Sequence, residues 1–334
     1  MEKTIERSIR TFLLVPWLFS TIFCLILASS THTKAQDGSC HSSPARSLSK
    51  DSVITAMAYY RTEKFYLSDK ITNSVKCCSA DGTLLREWGS YGKDDGQFIY
   101  PSGIAVDATG VVYVSDMYNH RIQKFTSDGN FIAKWGTFGT GVGQFSHPQS
   151  VGIDRSGFIY VADSYNYRIQ KFAPDGTFIT KWGSRGTGVG QFLSPVAVHI
   201  SATDLVYVAD SANHRIEVFR PDGTFVTEWG SRGSDNGQFD HPRSIATDSA
   251  GFIYVADTYN GRIQRFKPDF IFESSWSIQD THERLYFPEV MASDGNGTIH
   301  LLDTTGAGIM ATEYDQMVKH PDVIDRMISV KTRK

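Results

Sequence analysis

One short string decides what this chain can fold into. Ile159-Tyr160-Val161-Ala162-Asp163 recurs as 112–116, 206–210 and 253–257, with weaker copies that end at Asp69 and Asp303. The six aspartates (69, 116, 163, 210, 257 and 303) are spaced by 47 residues four times and by 46 once. Trp88, Trp135, Trp182, Trp229 and Trp276 keep the same interval. So do the Gln-Phe pairs that begin at 97, 144, 191 and 238, each followed by a proline (Pro101, Pro148, Pro195, Pro242), with Pro288 as a fifth. A fixed period of this length means one supersecondary unit repeated, each copy burying its apolar face against the next.

Each period divides into four short apolar runs. In the third copy they are 150–154, 158–162, 168–172 and 178–182. Between them stand turn residues: 154–157, 164–167, Pro174-Asp175-Gly176, and a glycine-rich stretch from 183 to 190. Runs this short leave no room for an ordinary helix, and glycine in the turns supplies the positive φ that other residues resist. Four strands per 40–50-residue period is the pattern of a propeller blade. The prediction is an all-β, six-bladed β-propeller of four-stranded antiparallel blades, divided at about 52–92, 93–139, 140–186, 187–233, 234–280 and 281–316. The periodic tryptophan ends the fourth strand and is expected to pack between blades. The sixth copy lacks that tryptophan, so either the arm at 40–50 or the tail at 318–330 completes its blade. The tail, within 317–334, is favoured because 323–330 has strand-like apolar content.

The string Gly-Gln-Phe-x-x-Pro, then Ile/Val-x-Val/Ile-Asp, then Tyr-Val-Ala-Asp-x-x-Asn-x-Arg-Ile-Gln-Lys-Phe resembles the NHL repeat. The resemblance spans about 52–314 and is strongest in the second, third and fifth copies. It implies the six-bladed propeller usual for this repeat, here matched by six copies.

Three basic residues (Lys3, Arg7, Arg10) precede an apolar run from Phe12 to Ala28, and a polar stretch follows. This is the form of a secretory signal over 1–35, with an uncleaved anchor as the alternative. Either way the body, with a linker at 36–51, is expected to be secreted or held on the non-cytoplasmic side, the membrane touched only through that segment. Without the first 35 residues the charge is −5, against −3 for the whole chain. An acidic body argues against nucleic acid as the partner, since such binding draws on phosphate neutralisation. Cys40, Cys77 and Cys78 are disulfide candidates, with buried thiols the alternative, and Asn296-Gly297-Thr298 is a glycosylation sequon.

Ligands of a propeller meet the face carrying the loops into each innermost strand and the loops between strands two and three. Residues common to every copy there, such as Asn119, Asn166, Asn213 and Asn260 with Arg121, Arg168, Arg215 and Arg262, read as scaffold. Candidates for ligand binding are those that break the repeat, His147, Gln149, His199, His241, Arg243 and Glu289, together with the loop tyrosines Tyr118, Tyr165 and Tyr259. His199 stands where sister copies have Ala105, Gly152 and Ala246.

A propeller lyase that releases amidated peptides resembles NHL proteins and holds zinc through three channel histidines beside the repeat's prolines. Here the residues after the prolines are Ser102, Gln149, Val196, Arg243 and Glu289, none of them histidine. His147, His199 and His241 are then the weak metal candidates, and zinc or calcium is expected only if the chain is such a lyase or hydrolase. The tripartite-motif relatives join an NHL propeller to a RING, and this chain has no cysteine–histidine cluster for one. The favoured expectation is a monomeric module without cofactor that binds protein, peptide or glycan on its loop face. The alternatives are the metal-dependent enzyme and a scaffold or RNA-binding NHL protein.

Overall fold

The computed structural model describes residues 52–60, 64–80, 82–277, 288–293, 298–302 and 309–313. Five four-stranded antiparallel sheets span 54–88, 101–135, 148–182, 195–229 and 242–277, each with its strands hydrogen-bonded in chain order. The third runs Pro148–Ile153, Ile159–Asp163, Arg168–Phe172 and Phe178–Trp182, close to the runs read from the sequence. A sixth sheet, Val290–Ser293, Thr298–Leu302 and Ile309–Glu313, has three strands.

The innermost strands stand side by side in a closed ring, from Ile54–Tyr60 through Pro101–Val106, Pro148–Ile153, Pro195–Ile200 and Pro242–Thr247 to Val290–Ser293, and back to the first. Six apolar clusters fill the six junctions between sheets. One joins Tyr160, Ala162 and Ile169 to Phe192, Val198 and Phe219. Another joins Ile54, Phe65 and Cys78 to Val290 and Ala292, sealing the last sheet against the first. The core thus lies between sheets, and each strand pair contributes to two clusters.

Among the described residues the expectation of six complete four-stranded blades is therefore corrected to five, with a three-stranded sixth sheet. The sixth copy is the one whose repeat string degrades and loses its tryptophan. The segments 40–50 and 318–330, offered to complete it, lie outside the described residues. So do the leader at 1–35, Cys40, Asp303 and Asn296. Cys77 and Cys78 are buried in strand Ser74–Ser79 and face opposite junctions. Among the described residues no helix is long and apolar enough to cross a membrane.

Two periodic details explain the repeat's composition. Trp135 meets Tyr113 of its own blade at 6.3 Å and Phe172 of the next at 6.0 Å, as an inter-blade wedge must. Gly136, directly after it, has φ +102°, and a Cβ there would lie 2.5 Å from the Phe145 ring. Only glycine fits that close approach.

Candidate functional site

The loop face is built on a buried polar bolt that recurs blade by blade. Asp163 accepts the Ser146 N–H at 2.7 Å, Asn166 Nδ2 at 2.9 Å, Arg168 Nε at 2.8 Å and Gln170 Nε2 at 3.0 Å. Arg168 then donates to the carbonyls of Thr140, Gly141 and Gln144, at 2.7, 2.8 and 2.8 Å. Asp116 and Asp257 repeat the arrangement with Asn119 and Arg121, and with Asn260 and Arg262. Burial raises the Asp116 and Asp163 carboxyls above their ordinary value, against the pull of these donors. These side chains are spent on one another, so their role is to hold the loops.

From this bolt a single 3-10 turn leads to a residue in the left-handed region: His120 (φ 54°), Tyr167 (56°) or His214 (55°), with Asn73 (52°) in the first blade. Three of these side chains reach across to the next blade. Asn73 Oδ1 accepts the Tyr100 N–H at 2.9 Å, His120 Nδ1 accepts that of His147 at 3.2 Å, and His214 Nδ1 accepts that of His241 at 3.2 Å. The sequence places His120 and His214 in the loops of this face but does not single them out as ligand candidates. The signal was a 27-residue offset, shared by 73/100, 120/147 and 214/241.

On the first three blades this latch carries a continuous run of rings. Tyr100 meets Tyr118 at 5.4 Å, Tyr118 meets His147 at 5.3 Å, and His147 meets Tyr165 at 4.3 Å. His120 joins at 4.7 Å from His147 and carries Phe138 at 4.8 Å. Tyr118, Phe138 and Tyr165 are 48, 67 and 57% exposed, although each sits on a braced loop. Burial lowers the pKa of both His120 and His147, the neighbouring His147 adding to the effect at His120. Both rings are neutral at physiological pH and offer faces and hydrogen bonds rather than charge.

Across the ring, His241 meets Tyr259 at 4.5 Å, the rings tilted by 36°, and its Nδ1 lies 2.6 Å from Asp240 Oδ1. Arg243 pairs with Glu289 at 2.7 Å across the junction of the fifth and sixth sheets, and its guanidinium lies 5.6 Å from the Tyr259 ring centre. The central channel encloses about 490 Å³ and is lined by all six inner strands, including Ser102, Gln149, Val196, Arg243 and Glu289. His199 lines it too, with Nε2 2.8 Å from Thr247 Oγ1, and burial pushes its pKa down to about 4.

The three weak metal candidates are thus not brought together. His199 is in the channel, His147 is among the tyrosines, and His241 is beside Asp240. Among the described residues one group has the spacing to hold a metal: His214, Asp240 and His241, whose donor atoms all lie within 4.8 Å of one another.

A ring of antiparallel meander sheets around a channel defines a β-propeller. The family model for the NHL repeat matches residues 98–125, 145–172, 192–219 and 239–266. The chain thus carries NHL repeats in four of its propeller blades. No curated protein sequence matches it. Among solved structures it is similar to a streptogramin B lyase (TM-score 0.59, 15% identity, 79% of this chain and 84% of that one covered). It is similar to the virginiamycin B lyase of Staphylococcus aureus (0.56, 14%, 77% and 93%). A chain of a nidogen/laminin complex is also similar (0.55, 17%, 73% and 87%). At these identities the likeness is one of fold.

Proposed function

We propose that this chain is a binding module that takes a peptide segment of a partner protein on its loop face, against Tyr100, Tyr118, His120, Phe138, His147 and Tyr165. The observation that carries this reading is the unbroken run of six rings with three of them about half exposed or more. Large apolar side chains held open on rigid loops are typical of interfaces. Neighbouring rings meet near edge to face, at 76° and 89° along Tyr100–Tyr118–His147. Clefts between faces and edges suit the side chains of a peptide better than the flat ring of a sugar. The similar chain from the nidogen/laminin complex is in keeping with a protein partner.

The lyase reading has the streptogramin and virginiamycin lyases on its side through fold. Against it, the channel offers one histidine among the described residues, His199, and that ring is bonded to Thr247. The same reading takes the three-stranded sheet as a sixth blade completed by chain outside the described residues, and the body as exported by the 1–35 leader. N-terminal sequencing of protein from the medium of expressing cells tests the export. Selection of a displayed random-peptide library on the full-length protein, beside a glycan array, tests the binding. Peptides that enrich on the wild type and not on the Tyr118→Ala/Tyr165→Ala variant support the reading, and a glycan signal without peptides replaces it.

A further inference from the structure

The latch between blades occurs twice with histidines on both sides, and the two copies differ in the residue just before the second histidine. At the first, His120 and His147 stand beside Ser146, whose Oγ is 3.4 Å from His147 Nδ1. At the second, His214 and His241 stand beside Asp240. The rings meet in the same way, at 4.7 Å and 85° in one and 4.5 Å and 79° in the other. The second copy therefore has a carboxylate where the first has a hydroxyl, beside a histidine pair that meets alike, while Ala212 and Arg232 replace Tyr118 and Phe138 of the first.

That carboxylate faces both rings. Asp240 Oδ1 lies 2.6 Å from His241 Nδ1 and 3.4 Å from His214 Nδ1. Zinc takes four ligands in a tetrahedron at about 2.0–2.1 Å, which sets its donor atoms roughly 3.3 Å apart. The His214–Asp240 pair is already at that separation, and the His241–Asp240 pair needs to open by less than 1 Å. We propose that His214, Asp240 and His241 form a binding site for a divalent transition cation, zinc first, through two imidazole Nδ1 atoms and one carboxylate oxygen.

The frame is set before any metal arrives. His214 and His241 both occupy the left-handed region, at φ 55° and 51°. The Asp240 N–H is held by Asp257 Oδ1 at 2.7 Å, and the His241 ring is backed by Tyr259. Loading costs the long 3.2 Å bond from the His241 N–H to His214 Nδ1 and the 2.6 Å bond between His241 Nδ1 and Asp240 Oδ1, both of which the metal replaces. Two imidazoles and one carboxylate suit zinc, nickel or copper; calcium needs six to eight oxygen ligands and finds one side-chain carboxylate here. Asp240 and His241 are each about one-third exposed, so the fourth position opens on the loop face. Three protein ligands with one open position can take a water or a donor atom from a bound partner.

Calorimetric titration of untagged full-length protein with zinc chloride tests the site. Wild type is expected to bind one equivalent more than Asp240→Ser, which puts the hydroxyl of the first latch in place of the carboxylate. Equal stoichiometry in the two proteins, or no binding tighter than about 100 µM in the wild type, overturns the proposal. Should Asp240→Ser fail to fold, Ser146→Asp carries the test by building the carboxylate into the first latch. It is expected to add one equivalent to the wild-type count, and an unchanged count overturns the proposal.

Discussion

Glu217 holds Arg215 through Oε1, at 2.8 Å from Nη2 and 3.1 Å from Nε, where three sister blades give the same arginine Nε to an aspartate. The sister residues are Gln123, Gln170 and Gln264, whose amides donate to that aspartate and to a loop carbonyl. A glutamate cannot donate, so Asp210 and Glu217 compete for one cation in a buried site. Burial pushes the Glu217 pKa up to about 7, against the attraction of Arg215.

Glu217→Gln restores the repeat and is expected to raise stability at pH 8 by about 1–3 kcal/mol. The folded pKa lies above the unfolded one, so the wild-type contribution is complete below about pH 4.5 and is lost as pH rises through 7. Thermal melts of both proteins at pH 5 and pH 8 read this. The variant should gain at pH 8 far more than at pH 5, and equal gains would remove the titration from the account.

His199 carries the opposite slope. Its folded pKa of about 4 lies below the ordinary 6.5, so nothing is lost above pH 6.5, and stability falls as pH drops toward 4. The full shift corresponds to at most on the order of 3 kcal/mol, less whatever channel water recovers. His199→Ala, the residue of the sister blades at 105 and 246, should flatten that part of a denaturation profile taken between pH 4 and 7. Persistence of the same slope in the variant would assign it to other groups.

The bolts and the channel-mouth pair predict very different costs for removing an ion pair. Asp163→Ala leaves Arg168 buried without its carboxylate and should cost about 3–5 kcal/mol in urea denaturation. Glu289→Ala breaks a pair in which Arg243 is 39% and Glu289 32% exposed, and should cost under about 1 kcal/mol. Comparable losses would mean that burial does not govern these pairs.

Trp182→Ala should cost about 2–4 kcal/mol. The indole touches Tyr160 and Phe219 across the blade junction, at 6.3 and 5.7 Å, but it is only half-buried, so the loss falls short of that for a fully enclosed ring. A midpoint shift below 1 kcal/mol would deny the tryptophans their wedge role.

The blades were legible because strand, turn and tryptophan recur in register, and so were the shared Asp, Asn and Arg as scaffold. The loop tyrosines were legible as positions. Their assembly into one run was not, because it depends on His120 in the left-handed region meeting His147 one blade away. Asp240 escaped for the same reason, since adjacency in sequence did not show that His214 would come to it from 26 residues upstream. Contacts between copies depend on how blades dock, and a repeat read along one copy is blind to them. The sixth copy is the converse case: where its string decays, the described residues form three strands in place of four.

The most direct test of the binding reading is the affinity of a selected peptide, measured by calorimetry on wild type and on Tyr165→Ala. Tyrosines of this kind contribute about 2 kcal/mol at interface centres, and the account predicts a loss of roughly 30-fold. Tyr259→Ala, on the far side of the ring, should leave the affinity within about twofold. Equal affinity in wild type and Tyr165→Ala, or an equal loss in both variants, would contradict binding at this run of rings.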